Sequence, residues 1–361
     1  MLLVIRVVIV ISVASDVPDV ANSASDRYQQ IARSDGLPYR DVDVEYAPGE
    51  LLIALLVGSS SGAAAVAGLA VIAFVSDVTA WLAIRRGWGR ATSLRYLWLG
   101  IPLLTFIYRR ADLFTVALTV VALVLARRGK PRSGGVAMAV STLTRLWPVV
   151  LAPIWLIERK TKALSVFVAS TIAAFIAWMS FGGLDAVRQV STFRGATGWE
   201  LESSVGAVVW TLTGEHRVEL DANRTGTIPV WWSPVALLVL VAVLALVWTK
   251  ASRRAADPAG MSAVAAISVL LLMSPVFSPQ YIVWLVPWAA IAGDESPRWS
   301  WAVAIPIAIT GFLALGWALH TGLGPGRTQL ALLGRNLAIL GLVVSFAATG
   351  DRAVHGPTVL R

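Results

Sequence analysis

An all-α integral membrane protein is the fold class this sequence predicts, on three observations. Hydrophobic residues fill 57% of the 361 positions, and mean hydropathy is +0.72. Only 14% of residues are charged, where an ordinary soluble domain carries about a quarter. Apolar stretches of helical length recur along the whole chain, and a helix satisfies its own backbone polar groups in lipid. No internal repeat and no separate soluble portion interrupts them, so 1–361 reads as a single polytopic domain.

The first element is "MLLVIRVVIVISVAS". It is shorter than the roughly 20 residues of a comfortable span, and no A-x-A-like cleavage site follows it. It is read as a first transmembrane helix, clipped at its N-terminus by the start codon. Further apolar segments lie at 49–57, 63–84, 91–107, 111–126, 133–157, 163–181, 233–249, 261–277, 280–293, 299–318 and 329–348. Together they predict roughly ten to twelve membrane segments. The segment 49–57 is half a span in length. The segment 133–157 is interrupted by "TRLWP" and flanked on both sides by basic residues, "RRGKPR" and "ERKTK", which predicts a re-entrant hairpin.

Charge then orients the bundle. Arg85-Arg86 with Arg90, Arg127-Arg128 with Lys130 and Arg132, Arg159-Lys160 with Lys162, and Lys250 with Arg253-Arg254 fall on one side when the segments are counted through. The positive-inside rule makes that side cytoplasmic. Loops 15–48, 182–232 and 319–328 are then extracytoplasmic and, with the turn at 108–112, hold most of the acids, while 349–361 is a short cytoplasmic tail. The net charge of +9 is thus read as charge sorted across a bilayer, with no nucleic-acid partner.

Several chemistries are excluded by composition. Cysteine is absent, which removes disulfides, thiolate metal sites and cysteine nucleophiles. H-E-x-x-H, P-loop, G-x-S-x-G and G-x-G-x-x-G patterns are also absent, so no metal and no cofactor is expected. His216, His320 and His355 read as surface histidines.

Ionisable and polar residues near the outer side are the candidates for chemistry. Asp16, Asp19, Asp26, Asp35, Asp41, Asp43, Glu45 and Glu50 face only Arg27, Arg33 and Arg40. A solvated acidic loop is one reading. The other notes Tyr28, Ile31 and Ala32 at helical spacing before Gly36, which predicts a short amphipathic helix with Asp26 at its N-cap. Pro48 opens the helix that follows. In "YRRADLF", Arg109, Arg110 and Asp112 fit either a structural ion pair or a phosphate-binding arginine. Arg145 has no acid beside it in sequence, which points to an anionic ligand. Gln280 and Tyr281 in "SPQYIVWLVP" offer neutral hydrogen bonds to a sugar.

Four segments, "SDRYQQIARSDGLPYRDVDVEYAPG", "RRADLFTVALTVVALVLARRGKPRSGGVAMAVSTLTRLWPVVLAPIWL", "WELESSVGAVVW" and "SPQYIVWLVP", appear in an order that resembles one family. These are the polyprenol-phosphate-mannose-dependent mannosyltransferases of actinobacteria, glycosyltransferase family 87 of the GT-C superfamily. The resemblance implies a GT-C multi-helix bundle whose outer loops bear short amphipathic helices. It further implies inverting transfer of mannose from a polyprenyl monophosphate to an envelope lipid or glycan, at the outer face of the cytoplasmic membrane. The family's loop aspartate falls on Asp26 as general base, with Asp41, Asp43 and Glu45 as fallback acids. Arg110, Arg145, Arg335 and His320 are the expected phosphate ligands, and Tyr28, Tyr46, Gln280 and Tyr281 the expected sugar or acceptor contacts. The chain departs from the family at Ala47, where a proline is usual, and at Arg145, where a lysine is usual. A transporter or flippase of lipid-linked sugars is the alternative, although it needs no carboxylate on an outer loop. A non-catalytic scaffold for envelope assembly leaves Arg145 without a role. Residue chemistry leaves the donor sugar, the acceptor and the oligomeric state open.

Overall fold

The computed structural model describes residues 1–15, 23–60, 62–318 and 323–349, which form fifteen α-helices and one small sheet. Helix α1 (Leu2–Ser15) carries Arg6 as its one charged residue. The amphipathic α2 (Ser23–Ala32) is the helix expected in the first loop, but it begins three residues before Asp26. Asp26 therefore lies within its first turn and not at its cap. Pro48 opens α3 (Pro48–Gly58), where a missing N–H leaves no bond unmade.

Then come α4 (Gly62–Trp88), α5 (Arg90–Leu99), α6 (Asp112–Arg127), α7 (Pro131–Thr144), α8 (Pro153–Ile157) and α9 (Thr161–Ser191). The segment 91–107 is not one helix: α5 ends at Leu99, and two 3-10 turns lead back to α6. The expected hairpin consists of α7, a 3-10 turn at Trp147–Leu151, and α8. It breaks at Arg145, whose backbone is extended (φ −142°, ψ 132°). Arg127, just before the hairpin, pairs with Glu158, just after it, so both its ends lie at one end of the bundle.

Helix α9 runs past 181 to Ser191 after a bend at Gly183, whose φ of 68° no helix contains. The stretch 182–232, expected as a loop, thus starts as helix. It then folds into β1 (Trp199–Glu200), α10 (Ser204–Thr213), β2 (Arg217–Glu219) and β3 (Ala222–Thr225), an antiparallel sheet of order β1-β3-β2. The helices α11 (Trp232–Ser252), α12 (Met261–Met273), α13 (Val286–Glu295), α14 (Pro297–Ala318) and α15 (Pro325–Ala348) complete the chain, with a 3-10 stretch at Pro279–Leu285 before α13.

Helices α4, α9, α11, α14 and α15 are long and apolar enough to cross a bilayer. In α9 and α11 only 11% and 17% of the apolar window is buried inside the protein, so most of that surface is turned to lipid. The protein is a multi-pass membrane protein. Helix α6 packs between α4 and α7, and α7 between α6 and α9. Close approach there depends on glycine. A Cβ at Gly134 would stand 2.8 Å from the Ala122 carbonyl oxygen, and one at Gly135 would stand 2.6 Å from that of Ala163. Gly135→Leu is therefore expected to lower the thermal midpoint in detergent sharply, since overpacking a tight interface costs about 1–3 kcal/mol or more. A midpoint equal to that of the wild type would show that α7 can move aside.

Ion pairs hold the basic end. Arg127 bridges Glu158 and Asp257, the latter at 2.7 Å, and Asp257 also accepts a hydrogen bond from Trp88 Nε1 at 2.7 Å. Within the bundle, Asp77 on α4 receives Arg6 Nε at 3.2 Å and the hydroxyls of Tyr96 and Tyr108 at 2.7 and 2.6 Å. The opposite end of α4 and α6 carries α2, the sheet and a cavity.

Candidate active site

A cavity of 530 Å³ lies between the start of α6, the break at Arg145, α2 and the small sheet. Its base is an ion-pair network. Arg145 Nη2 donates to Glu50 Oε1 at 2.8 Å, and its Nε lies 2.8 Å from Glu50 Oε2. Tyr28 donates its hydroxyl to the same Glu50 Oε1 at 2.7 Å. On the other side Arg145 Nη2 is 3.5 Å from Asp112, whose second oxygen accepts from Trp284 Nε1 at 2.9 Å. Tyr46 and Tyr281 present their rings to the Arg145 guanidinium at 5.9 and 5.8 Å. Tyr281 in turn stacks on Trp284 at 4.3 Å, and Trp284 on Trp147 at 5.3 Å. An arginine buried this way is held by charge and by ring quadrupoles together.

The upper wall comes from the loops. Glu45 accepts from Arg27 Nε at 3.0 Å and Nη2 at 2.9 Å, and its Oε2 lies 3.5 Å from Arg194. Arg194 also reaches Asp221 at 3.2 Å. Glu200 lies on β1 opposite Arg224 of β3. Glu202 is held by Arg335, which donates to its carboxylate at 2.8 Å and to its carbonyl at 2.5 Å. Burial pushes both Glu200 and Glu202 above the usual carboxylate range, Glu200 to about 7.

Of the residues singled out in the sequence, Tyr28, Glu45, Tyr46, Arg110, Arg145, Gln280 and Tyr281 line this cavity. Asp26, Asp41, Asp43 and Arg335 do not. A helix turns about 100° per residue, so the face that presents Ala24, Arg27 and Tyr28 leaves Asp26 exposed on the flank. Asp41 caps a local turn by accepting from the Leu37 N–H at 2.8 Å. Asp43 is exposed and gives only its carbonyl to Arg27. Arg335 is fully buried, with Glu202 on one side and the Phe277 ring 4.1 Å away. His320 lies outside the described residues.

Arg145 is not without acids: it has two partners, Glu50 and Asp112, both far away in sequence. Arg194, Glu200 and Glu202 were not singled out as site residues, and Glu50 was named only among the eight acids of the first loop. An acid inside an otherwise apolar helix was the available signal for Glu50. Glu200 and Glu202 lie in "WELESSVGAVVW", which stood out only as a whole segment.

The family model for glycosyltransferase family 87 matches residues 46–275, nearly two thirds of the chain. The chain belongs to glycosyltransferase family 87. That stretch contains the Arg145 network and the sheet with Glu200. The family 87 protein has no match among curated proteins. Among solved structures it is similar to ArnT from Cupriavidus metallidurans bound to undecaprenyl phosphate, at 15% identity and a TM-score of 0.49. That likeness covers 96% of this chain and 76% of ArnT. The protein is thus a membrane glycosyltransferase by family, and its own geometry must supply the roles of residues.

Proposed function

We propose that this protein moves a mannosyl residue from polyprenyl-phosphate mannose to a hydroxyl of an envelope lipid or glycan, with inversion, at the outer face of the cytoplasmic membrane. One observation carries the reading: a cavity at the end of the bundle opposite the basic clusters is lined by both arginines and carboxylates. A lipid phosphate has its tail in the bilayer and its head at the interface, and the presence of Arg110 and Arg145 in the cavity lining supports its binding there. In transfer the anomeric carbon loses its bond to the phosphate oxygen and gains one to the acceptor oxygen. Arginines stabilise the charge left on the phosphate. The acceptor proton passes to a carboxylate, and because phosphate leaves without protonation one such base suffices. A single displacement inverts the anomeric centre, as in other inverting sugar chemistry. Gln280, Tyr281, Tyr28 and Tyr46 supply hydrogen bonds and ring faces for the sugars. The choice of mannose rests on the four family-like segments.

The test is incubation of the purified protein in nanodiscs with polyprenyl-phosphate mannose and a panel of envelope lipids and glycans, looking for mannosylated product. Arabinosyl and glucosyl donors run in parallel decide the sugar. Lipid translocation without transfer from any donor would establish the transporter instead. Within this assay Asp26→Asn is expected to keep transfer near the wild-type rate, because its carboxylate stands off the cavity. Glu45→Gln is expected to slow it about tenfold or more by freeing Arg27 and Arg194. A hundredfold loss in Asp26→Asn alone would return the base to α2.

A further inference from the structure

A second cavity, of 630 Å³, lies where the first outer loop meets the end of α9, and its volume is that of an ordinary small-ligand site. Its floor is fixed. Tyr39, held at a φ of 67°, packs on Trp178 at 5.7 Å and donates its hydroxyl to the Tyr46 carbonyl at 2.6 Å. The Gln189 side chain accepts from the Val44 N–H at 2.8 Å and donates to the Tyr39 carbonyl at 3.2 Å, so loop and helix form one wall. The bend at Gly183 leaves open space, with no atom within 4 Å of where a Cβ would stand.

Four charged side chains line this cavity without pairing. Arg40 and Asp43 come from the loop, and Asp185 and Arg188, three residues apart, from one face of α9. All four are exposed, and among the described residues none of these side chains makes a hydrogen bond or an ion pair. Arg194 differs, because its charge is met by Glu45 at 3.5 Å and Asp221 at 3.2 Å. It lines both cavities and so joins the second to the first. The balance of signs selects the ligand. An anion would be opposed by Asp43 and Asp185, and a cation by Arg40, Arg188 and Arg194. A sugar hydroxyl both donates and accepts, so one ring can satisfy arginine N–H groups and carboxylate oxygens together.

We propose that the second cavity is an acceptor subsite for a sugar already joined to the one that reacts. This rests on the glycosyltransferase reading above. The reacting sugar lies in the first cavity, and the glycan behind it passes Arg194 into the second, where Arg40, Asp43, Asp185 and Arg188 hold its hydroxyls. The favoured acceptor is therefore a glycan of two or more sugars and not a bare lipid hydroxyl. Such an acceptor is the product of an earlier glycosyl transfer.

The test uses the full chain in nanodiscs, with polyprenyl-phosphate mannose as donor and octyl mannosides of increasing length as acceptors. The wild type is expected to favour the disaccharide over the monosaccharide by about tenfold or more in kcat/KM, mainly through KM, which is the weight of one charge-assisted hydrogen bond. The double variant Asp185→Asn with Arg188→Gln is expected to lose most of that preference with the thermal midpoint unmoved, because both side chains are exposed. A double variant that keeps the full preference overturns the proposal, as does a wild type indifferent to acceptor length. Calorimetry with free mannotriose, in the absence of donor, reads the cavity directly, and binding is expected to be about tenfold weaker in the double variant. Equal binding by the two proteins overturns the subsite, and so does no binding by either. A wild type that binds the trisaccharide more tightly than the variant, yet transfers from no donor, keeps the cavity as a glycan site and sinks the glycosyltransferase reading instead.

Discussion

Arg145→Ala is expected to abolish transfer and to destabilise the protein by about 3–5 kcal/mol. The substitution strips Glu50, 1% exposed, of its cation and leaves Asp112, equally buried, with the Trp284 N–H as its side-chain partner among the described residues. Two carboxylates would then face each other without a charge between them. The loss is read as a lower thermal midpoint and poorer monodispersity in detergent, alongside the transfer rate. Arg145→Lys separates the two effects. A lysine keeps the charge but offers a point donor where arginine reaches Glu50 and Asp112 at once. Most of the stability should return, with transfer still about tenfold down. An Arg145→Ala protein as stable as the wild type would mean that the network is wet and its charges independent.

The second large effect lies far from the cavity. Asp77→Ala removes the one acceptor shared by Arg6, Tyr96 and Tyr108, all of which are at most 2% exposed. An uncompensated guanidinium in the bundle costs about 3–5 kcal/mol, and two hydroxyls lose their partner as well. Little folded protein should be recovered. The double variant Arg6→Leu with Asp77→Leu should recover much of it, because apolar replacement of a buried pair is often close to neutral. Recovery by Asp77→Ala alone, at the yield of the wild type, would show that Arg6 reaches water or a lipid phosphate once freed.

These clusters mark where sequence reading stopped. Helix positions were legible from hydropathy and proline: Pro48 opens α3, and "TRLWP" breaks the hairpin at Arg145, as the pattern required. The return of the hairpin's two basic flanks to one end of the bundle was legible too, because it follows from counting segments. The sheet at β1 to β3 was not. Its strands are two to four residues long and carry no clean alternation, so nothing local distinguishes them from loop. Glu200 and Glu202 were not legible as cavity residues for another reason: eight acids crowd the first loop, and nothing along the chain marks "WELE" as facing the same cavity.

By itself, then, the sequence determined the membrane class, the helical segments, the break at Arg145 and the family, since hydropathy, proline and motif order are properties of neighbouring residues. Only the tertiary structure decided which acids meet which arginines. Glu50 and Arg145 are 95 positions apart and Glu202 and Arg335 are 133 apart, and no pattern along the chain encodes such a pairing. Whether a carboxylate is neutralised or exposed depends on what folding brings within a few ångströms of it. That is why Asp26, prominent in the sequence, stands on the flank of α2, while Glu200, inconspicuous there, faces the cavity.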